Sequence, residues 1–326
     1  MSSSPQGVLF FQADNWLSRA AYPAGSEVIQ WTAGEYPNGE QWVKLNPSEP
    51  ATFESIQVLA RFKSFEPGLD QYSADRANIS NDANNSNNAA SLSDQIFRLL
   101  LLLEALNHRT PHLKLFLPYL PYSLQDRDVR GGDGVGVKTL ISCLEAIGVD
   151  EFQVIDLHSA QDLAYFTVPV THWTAEQLLA DQIRSVIPPS DLAVVAPDKG
   201  ATLKAQNFGE LLKAPVTYLQ KKRLGPGKVE IIADNLRDLK AKHILLVDDL
   251  LNTGGTLVTS AQVIREQIGA EVSVAVTHGL FANQAMKKLS QAGFKHIFVT
   301  DSYEGKTTAK SDLIQEVSVL DLIWPE

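Results

Sequence analysis

Apolar residues along this chain fall into short runs separated by amphipathic stretches. LKLFL (113–117), FQVID (152–156), LAVVA (192–196), HILLV (243–247), VSVAV (272–276) and HIFVT (296–300) are nearly continuous in large or β-branched apolar residues. Runs of this length, bounded by charges or turn residues, predict strands buried on both faces. Between them the period becomes helical. Val137, Leu140, Ile141, Leu144 and Ile147 fall on one helical face, with Gly148 placed to end it. Leu257, Ala261, Ile264 and Ile268 line a second helix that begins after Gly255. The alternation implies α/β architecture with largely parallel sheets.

The stretch 65–93 breaks the pattern. Six of the eleven residues from Asn78 to Asn88 are Asn, and large apolar residues are nearly absent. Such a segment cannot bury enough surface to offset its ordering entropy, so a mobile surface loop is expected. Ser91 or Ser93 then caps the helix containing Ile96 to Leu106. A second break falls near Pro169 to Trp173. The 326 residues therefore predict two domains, 1–170 with the Asn-rich insert at 65–93, and 171–309, followed by a tail at 310–326.

Composition narrows the function classes. The chain is 44% hydrophobic and 20% charged, with a formal net charge of −10. That balance argues against non-specific nucleic-acid binding, which needs a positive field, and leaves room for a small phosphorylated ligand held by local donors. The lone Cys143 cannot form an internal disulfide, and its helical, apolar setting predicts a small core residue. No export signal is evident at the start, and Ile96–Leu106, broken by Arg98 and Glu104, is too short to span a bilayer. A cytoplasmic protein away from membranes is expected.

The densest chemistry lies in VDDLLNTGGTL, Val247 to Leu257. A strand runs into Asp248 and Asp249. A turn then passes Asn252 to Thr253, Gly254, Gly255 and Thr256, and a helix follows. The glycines let backbone approach a ligand, and N–H groups at a helix N-terminus favour an anion. The threonine hydroxyls add donors, completing a phosphate cup. The two carboxylates outside it repel phosphate but accept hydrogen bonds from hydroxyls. A ligand with a phosphate at one end and vicinal hydroxyls at the other, such as ribose 5-phosphate, meets both demands.

This D-D-x-x-x-T-G-G-T pattern resembles the binding motif of type I phosphoribosyltransferases and ribose-phosphate pyrophosphokinases. Most of the chain outside the insert resembles the latter family. YPNGE resembles a family loop that reaches a neighbouring subunit's ATP site, with Tyr36 to stack on adenine and Asn38 and Glu40 as polar contacts. PYLPYSLQDRDVRGG resembles the ATP-contacting segment P-Y-x-P-Y-A-R-Q-D-R, matching at Gln125, Asp126 and Arg127. Leu124 stands where the family usually has an arginine, a departure that touches nucleotide recognition. DLHSAQ resembles D-L-H-x-x-Q, which gives His158 a role toward Mg²⁺. APDKGA resembles S-P-D-x-G, which gives Asp198 a part in placing Mg²⁺ and the ribose. QKKRLGPGKV resembles the family's flexible catalytic loop, with Lys221 and Arg223 as its basic pair.

The resemblance implies two phosphoribosyltransferase-like domains, each a mostly parallel sheet flanked by helices, and a tail returning to the first. It implies a homo-oligomer, a dimer or hexamer. The implied reaction makes 5-phosphoribosyl-1-pyrophosphate from ribose 5-phosphate and ATP with Mg²⁺, releasing AMP. Two alternatives stay open: a phosphoribosyltransferase, which shares the cup but does not need the DLHSAQ and PYLPYSLQD segments, and a non-catalytic regulatory homologue, which Leu124 and the insert favour.

Overall fold

A computed structural model describes residues 5–12, 16, 25–48, 50–64, 90–225, 228–232, 236, 239, 241–305 and 312–324. Most of the Asn-rich insert and the start of the tail lie outside them. The chain divides into two compact units, Met1–Trp173 with Leu320–Glu326, and Thr174–Val319.

The first unit contains strands β1 (Gln6–Phe11), β2 (Glu27–Val28), β3 (Trp31–Glu35), β4 (Gln41–Leu45) and β5 (Ser55–Ala60), helix α1 (Leu92–Asn107), strand β6 (Leu113–Leu117), helix α2 (Gly136–Ile147), and strands β7 (Glu151–Ile155) and β8 (Val170–Trp173). Six of these strands form one sheet in the order β2-β1-β5-β6-β7-β8. Every pair in it is parallel. The remaining two, β3 and β4, make an antiparallel hairpin.

Local chemistry sets the ends of α1. Ser91 Oγ accepts from the Asp94 N–H at 3.1 Å, and Asp94 Oδ2 accepts from the Ser91 N–H at 3.0 Å. This reciprocal box satisfies two backbone donors and selects Ser91 over Ser93 as the cap. One turn on, the buried Gln95 ties together the two margins of the insert. Its Oε1 accepts from Lys63 N–H at 3.1 Å, and its Nε2 donates to Lys63 O at 3.0 Å and Ala90 O at 2.9 Å.

On α2, Val137, Leu140, Ile141 and Leu144 are buried, and Gly148 ends the helix at φ 116°. Cys143 is exposed, contrary to the core position expected for it. It shares the outer face with Lys138, Thr139, Ser142 and Ala146. Apolar neighbours in sequence misled there, because burial follows angular position on the helix.

The second unit begins with α3 (Glu176–Val186), followed by β9 (Leu192–Ala196), α4 (Thr202–Leu212), β10 (Val216–Tyr218), β11 (Gln220–Gly225), β12 (Lys228–Ile232) and β13 (His243–Leu251). Then come α5 (Gly255–Ile268), β14 (Glu271–Gly279), α6 (Ala285–Gln291), β15 (Ile297–Thr300) and β16 (Ile314–Val317). The short helix α7 (Leu320–Ile323) counts with the first unit. Six strands form a sheet in the order β10-β9-β13-β14-β15-β16, again parallel throughout. All five residues of β9, the first five of β13 and all but the first of β14 are buried. Burial on both faces explains why these strands read as unbroken apolar runs.

From β9 the chain passes to β10 on one side, while β13, β14, β15 and β16 build out on the other. The order therefore reverses between β9 and β13. In open parallel sheets such a switch point leaves a crevice outside the carboxyl ends of its strands, where ligands bind.

Candidate active site

The switch point of the second unit gathers the residues singled out in VDDLLNTGGTL. Strand β13 does not end at Val247, as its apolar run suggested, but continues through both carboxylates to Leu251. Its pairing with β9 stops at Leu246↔Val195, whereas its pairing with β14 reaches Leu251↔Gly279. Asp248 and Asp249 therefore lie on a projecting strand end with a neighbour strand on one side only. Both are half-buried.

Asp248 Oδ1 accepts from the Asp249 N–H at 3.0 Å. Burial pushes the Asp248 carboxyl up to about 8, helped by a side-chain hydrogen bond with Asp249 and by the charges of Asp249 and Asp198. A carboxyl–carboxyl hydrogen bond needs one proton, so the pair carries less than two charges near neutrality. Asp198 follows β9 and accepts from the Gly200 N–H at 3.0 Å. The structure thus brings Asp198 into the electrostatic neighbourhood of the Asp248–Asp249 pair.

The cup follows directly. Gly254 caps α5 at φ 71°, a conformation that L side chains resist. Asn252 is half-buried, and Thr253, Gly255 and Thr256 are exposed. The N-terminal turn of a 14-residue helix thus opens toward solvent beside the carboxylates, and the partial positive charge of a helix N-terminus favours an anion.

Lys221 and Arg223 lie on β11 in an antiparallel hairpin, paired with Ile231 and Val229 of β12. The segment expected as a loop is therefore strand. The side chains of this pair lie outside the described residues.

The other sites belong to the first unit. Tyr36, Asn38 and Glu40 form the turn between β3 and β4, all exposed. Tyr36 N–H donates to Glu40 O at 2.7 Å and Gly39 N–H to Tyr36 O at 2.8 Å, so the backbone closes the turn and leaves the Tyr36 ring exposed. Gln125, Asp126 and Arg127 follow β6. The Tyr165 hydroxyl donates to Asp126 O at 2.7 Å, and Arg127 Nε stands 3.9 Å from Asp126 Oδ1. Leu124 is 50% exposed. His158 is exposed just beyond β7. It follows Asp156, whose φ of 40° is rare for a residue with a side chain and marks a constrained strand end. The backbone there is held by Asp156 N–H to Trp173 O at 3.0 Å and Leu157 N–H to His172 Nε2 at 3.1 Å.

Sequence reasoning passed over Asp162. It sits in a 3₁₀ segment, Ala160–Tyr165, with no exposed surface, and neither carboxylate oxygen has a hydrogen-bond partner. Burial raises its carboxyl to about 6, Asp126 adds to the rise and His158 opposes it. A charge directly before the apolar stretch LAYF (163–166) was the available signal. Asp126, His158 and Asp162 therefore share one electrostatic neighbourhood.

Among the described residues no three or more His, Cys, Asp and Glu side chains are grouped to hold a metal ion by themselves. The chemistry near Asp198 nevertheless fits Mg²⁺. That ion takes oxygen ligands and keeps several waters, using one or two carboxylates plus substrate oxygens. Burial is the main cause of the raised Asp248 carboxyl, and the charges of Asp249 and Asp198 add to it, so a divalent cation there would favour its ionised form. Among the described residues no helix is long and apolar enough to cross a membrane.

A parallel sheet whose switch point carries a glycine-rich turn and paired carboxylates has the architecture of a phosphoribosyltransferase-like domain. The family model for the phosphoribosyl transferase domain matches residues 173–308. The ribose-phosphate pyrophosphokinase of Gloeobacter violaceus is 32% identical over 234 residues, covering 71% of this chain and 70% of the relative. That of Caldanaerobacter subterraneus subsp. tengcongensis is 27% identical over 281 residues, covering 86% and 85%. The crystal structure of phosphoribosylpyrophosphate synthetase from Mycobacterium smegmatis superposes with a TM-score of 0.80 over 98% of this chain and 96% of that one, at 23% identity, and so shares the fold. The chain belongs to the ribose-phosphate pyrophosphokinase family.

Proposed function

We propose that the protein makes 5-phosphoribosyl-1-pyrophosphate from ribose 5-phosphate and ATP. The observation that carries this reading is the switch point of the second unit, where the phosphate cup and the Asp248–Asp249 pair lie end to end. The 5-phosphate sits on the N–H groups and hydroxyls of Thr253 to Thr256, beside Asn252. The ribose hydroxyls donate to Asp248 and Asp249, and this fixes the anomeric hydroxyl.

The anomeric oxygen forms a bond to the β-phosphorus of ATP. The bond from that phosphorus to the α,β-bridging oxygen breaks, and AMP leaves with the electron pair. The anomeric proton passes to solvent. Such transfers depend on positioning and charge stabilisation more than on covalent catalysis. Asp198 would offer a carboxylate oxygen to Mg²⁺ and His158, by resemblance, a ring nitrogen to the ion or its water shell, and the ion would supply positive charge against the phosphates. Tyr36, Asn38, Glu40, Gln125, Asp126 and Arg127 are assigned to the nucleotide. Lys221 and Arg223 stabilise the charge that develops on the reacting phosphates. We assign the chain to a cytoplasmic homo-oligomer, which sedimentation at several concentrations tests.

One observation favours a second reading. Leu124 places an exposed apolar side chain in the segment assigned to ATP, which suits a non-catalytic regulatory homologue.

The test mixes the protein with ribose 5-phosphate, Mg²⁺ and ATP and follows AMP and phosphoribosyl pyrophosphate, with Lys221→Ala alongside. Product from the parent and little from the variant supports the reaction and the role of β11. No product with ATP, GTP or CTP overturns the enzymatic reading in favour of the regulatory one. Product formed by the variant at the parental rate removes Lys221 from the catalytic set.

A further inference from the structure

The turn after β14 is unusual in its backbone and is tied to the entrance of the cup. Gly279, the last residue of β14, pairs with Leu251, the last of β13. Leu280 and Phe281 then both donate their N–H groups to Leu251 O, at 2.9 and 3.2 Å, and Ala282 N–H donates to Asn252 O at 2.9 Å.

These bonds fix more than two carbonyls. In a planar trans peptide the C=O and the following N–H point in opposite directions, and no cis peptide occurs in the described chain. Holding Leu251 O toward the turn directs the Asn252 N–H away from it. Holding Asn252 O does the same to the Thr253 N–H. Both amides stand at the entry to the cup, so the turn sets their direction before a ligand arrives.

The turn is itself held against its own preferences. Phe281, Asn283 and Gln284 have φ of 48°, 51° and 59°. Three side-chain-bearing residues in the left-handed region persist only where surrounding contacts over-determine them. The contact here is the buried Phe281 ring. A Cβ at Gly279 would lie 2.5 Å from Phe281 Cε2, and one at Gly305 would lie 2.5 Å from Phe281 Cδ2. Two glycines therefore make the slot that the ring fills. The turn leads straight into α6, whose Leu289 lies 3.4 Å from where a Cβ on Gly254 would be. One segment thus grips the cup's entrance and supports its capping glycine.

We infer that Leu280–Gln284 is a clamp that aims the phosphate donors of the cup, with Phe281 as its positioning residue and no contact between Phe281 and substrate. The inference rests on the reading of the cup as the 5-phosphate site, because a clamp on an unused turn has no consequence for binding.

The experiment measures dissociation constants for ribose 5-phosphate and for Mg-ATP by calorimetry on the full chain, in the parent, Gly305→Ala and Phe281→Leu. Gly305→Ala closes the slot. Phe281→Leu leaves it half filled and is the milder change should the first variant misfold, which circular dichroism reports. The expected result is a loss of about tenfold in ribose 5-phosphate affinity in each folded variant, the size of one misdirected hydrogen bond to a charged group, with Mg-ATP affinity unchanged. Ribose 5-phosphate binding within twofold of the parent in a folded variant overturns the clamp while leaving the functional reading intact. Equal losses for both ligands also overturn it, since they report general loosening. A parent that does not bind ribose 5-phosphate overturns the functional reading, and the clamp with it.

Discussion

Changing Asp162 to asparagine is expected to stabilise the first unit at pH 8 and to leave it nearly unaltered at pH 4. Asp162 has no exposed surface and neither oxygen is hydrogen-bonded, so ionisation inside the fold is offset only in part, by His158. Its carboxyl is raised from 3.8 to about 6. A raised carboxyl binds its proton more tightly in the folded state than in the unfolded one. Stability therefore falls as the pH climbs from 3.8 toward 6 and stays low above that. The shift corresponds to about 3 kcal/mol at the upper limit, and water close to a 3₁₀ segment near the surface reduces this to roughly 1.5–3 kcal/mol. Asparagine keeps the shape and mimics the neutral form. All five tryptophans, at 16, 31, 42, 173 and 324, belong to the first unit, so their fluorescence reports its unfolding alone. With a urea slope of about 2 kcal/mol per molar, the variant's midpoint should lie about 1 M above the parent's at pH 8. The two should converge at pH 4. A variant no more stable than the parent at pH 8, or a gap of the same size at both pH values, refutes the reasoning.

Other parts of the structure give further expectations. At pH 7 the Asp248 carboxyl, raised to about 8, still holds its proton. A divalent cation beside it favours the charged form, so binding Mg²⁺ with ribose 5-phosphate should release a proton, read as a calorimetric heat that depends on the buffer. Asp248→Asn should abolish that dependence. Gly254→Ala places an L residue at φ 71°, which should cost about 1–2 kcal/mol of stability and weaken ribose 5-phosphate binding more than ATP binding, as titration of both ligands would record. Burial lowers the affinity of His243 and His296 for protons. Their contribution to the second unit is therefore complete above about pH 6.5 and shrinks as the pH falls through the lowered folded values. Thermal melts in an Asp248→Asn background should fall between pH 7.5 and 5.5, less so with His296→Gln added. The background matters because the raised Asp248 gains stability as the pH drops and masks the histidines.

The second unit's sheet was legible because parallel strands covered on both faces must be written in apolar residues, as LAVVA and VSVAV are. The cup was legible because glycine, threonine and aspartate stood together at one strand end. Other features left weaker traces. The extension of β13 through Asp248 to Leu251 carries charges, and only its hydrogen bonds to β14 reveal it as strand. Strands β3 and β4 were missed because they are mostly half-exposed and look polar, whereas β1 and β5 were missed although GVLFF and SIQVLA carry the same apolar signal as the strands that were read. The segment 220–229 reads as a basic, Gly/Pro-containing loop, yet Gln220–Gly225 and Lys228–Ile232 pair as antiparallel strands through backbone groups that composition does not record. The grip of Ala282 on Asn252 is likewise made by peptide groups, which any sequence possesses.

Gln95 gives the insert a particular standing. One buried amide joins Lys63 to Ala90, so the fold on either side meets the same closed boundary whatever lies between. The entropy of closing such a loop grows only logarithmically, by about 0.6 kcal/mol for each doubling of its length. On this term alone, a change in the number of residues between Lys63 and Ala90 carries a small cost. The stretch is a natural docking port for foreign sequence: a reporter, an affinity tag or a second domain could be carried there, and the chain would still close behind it.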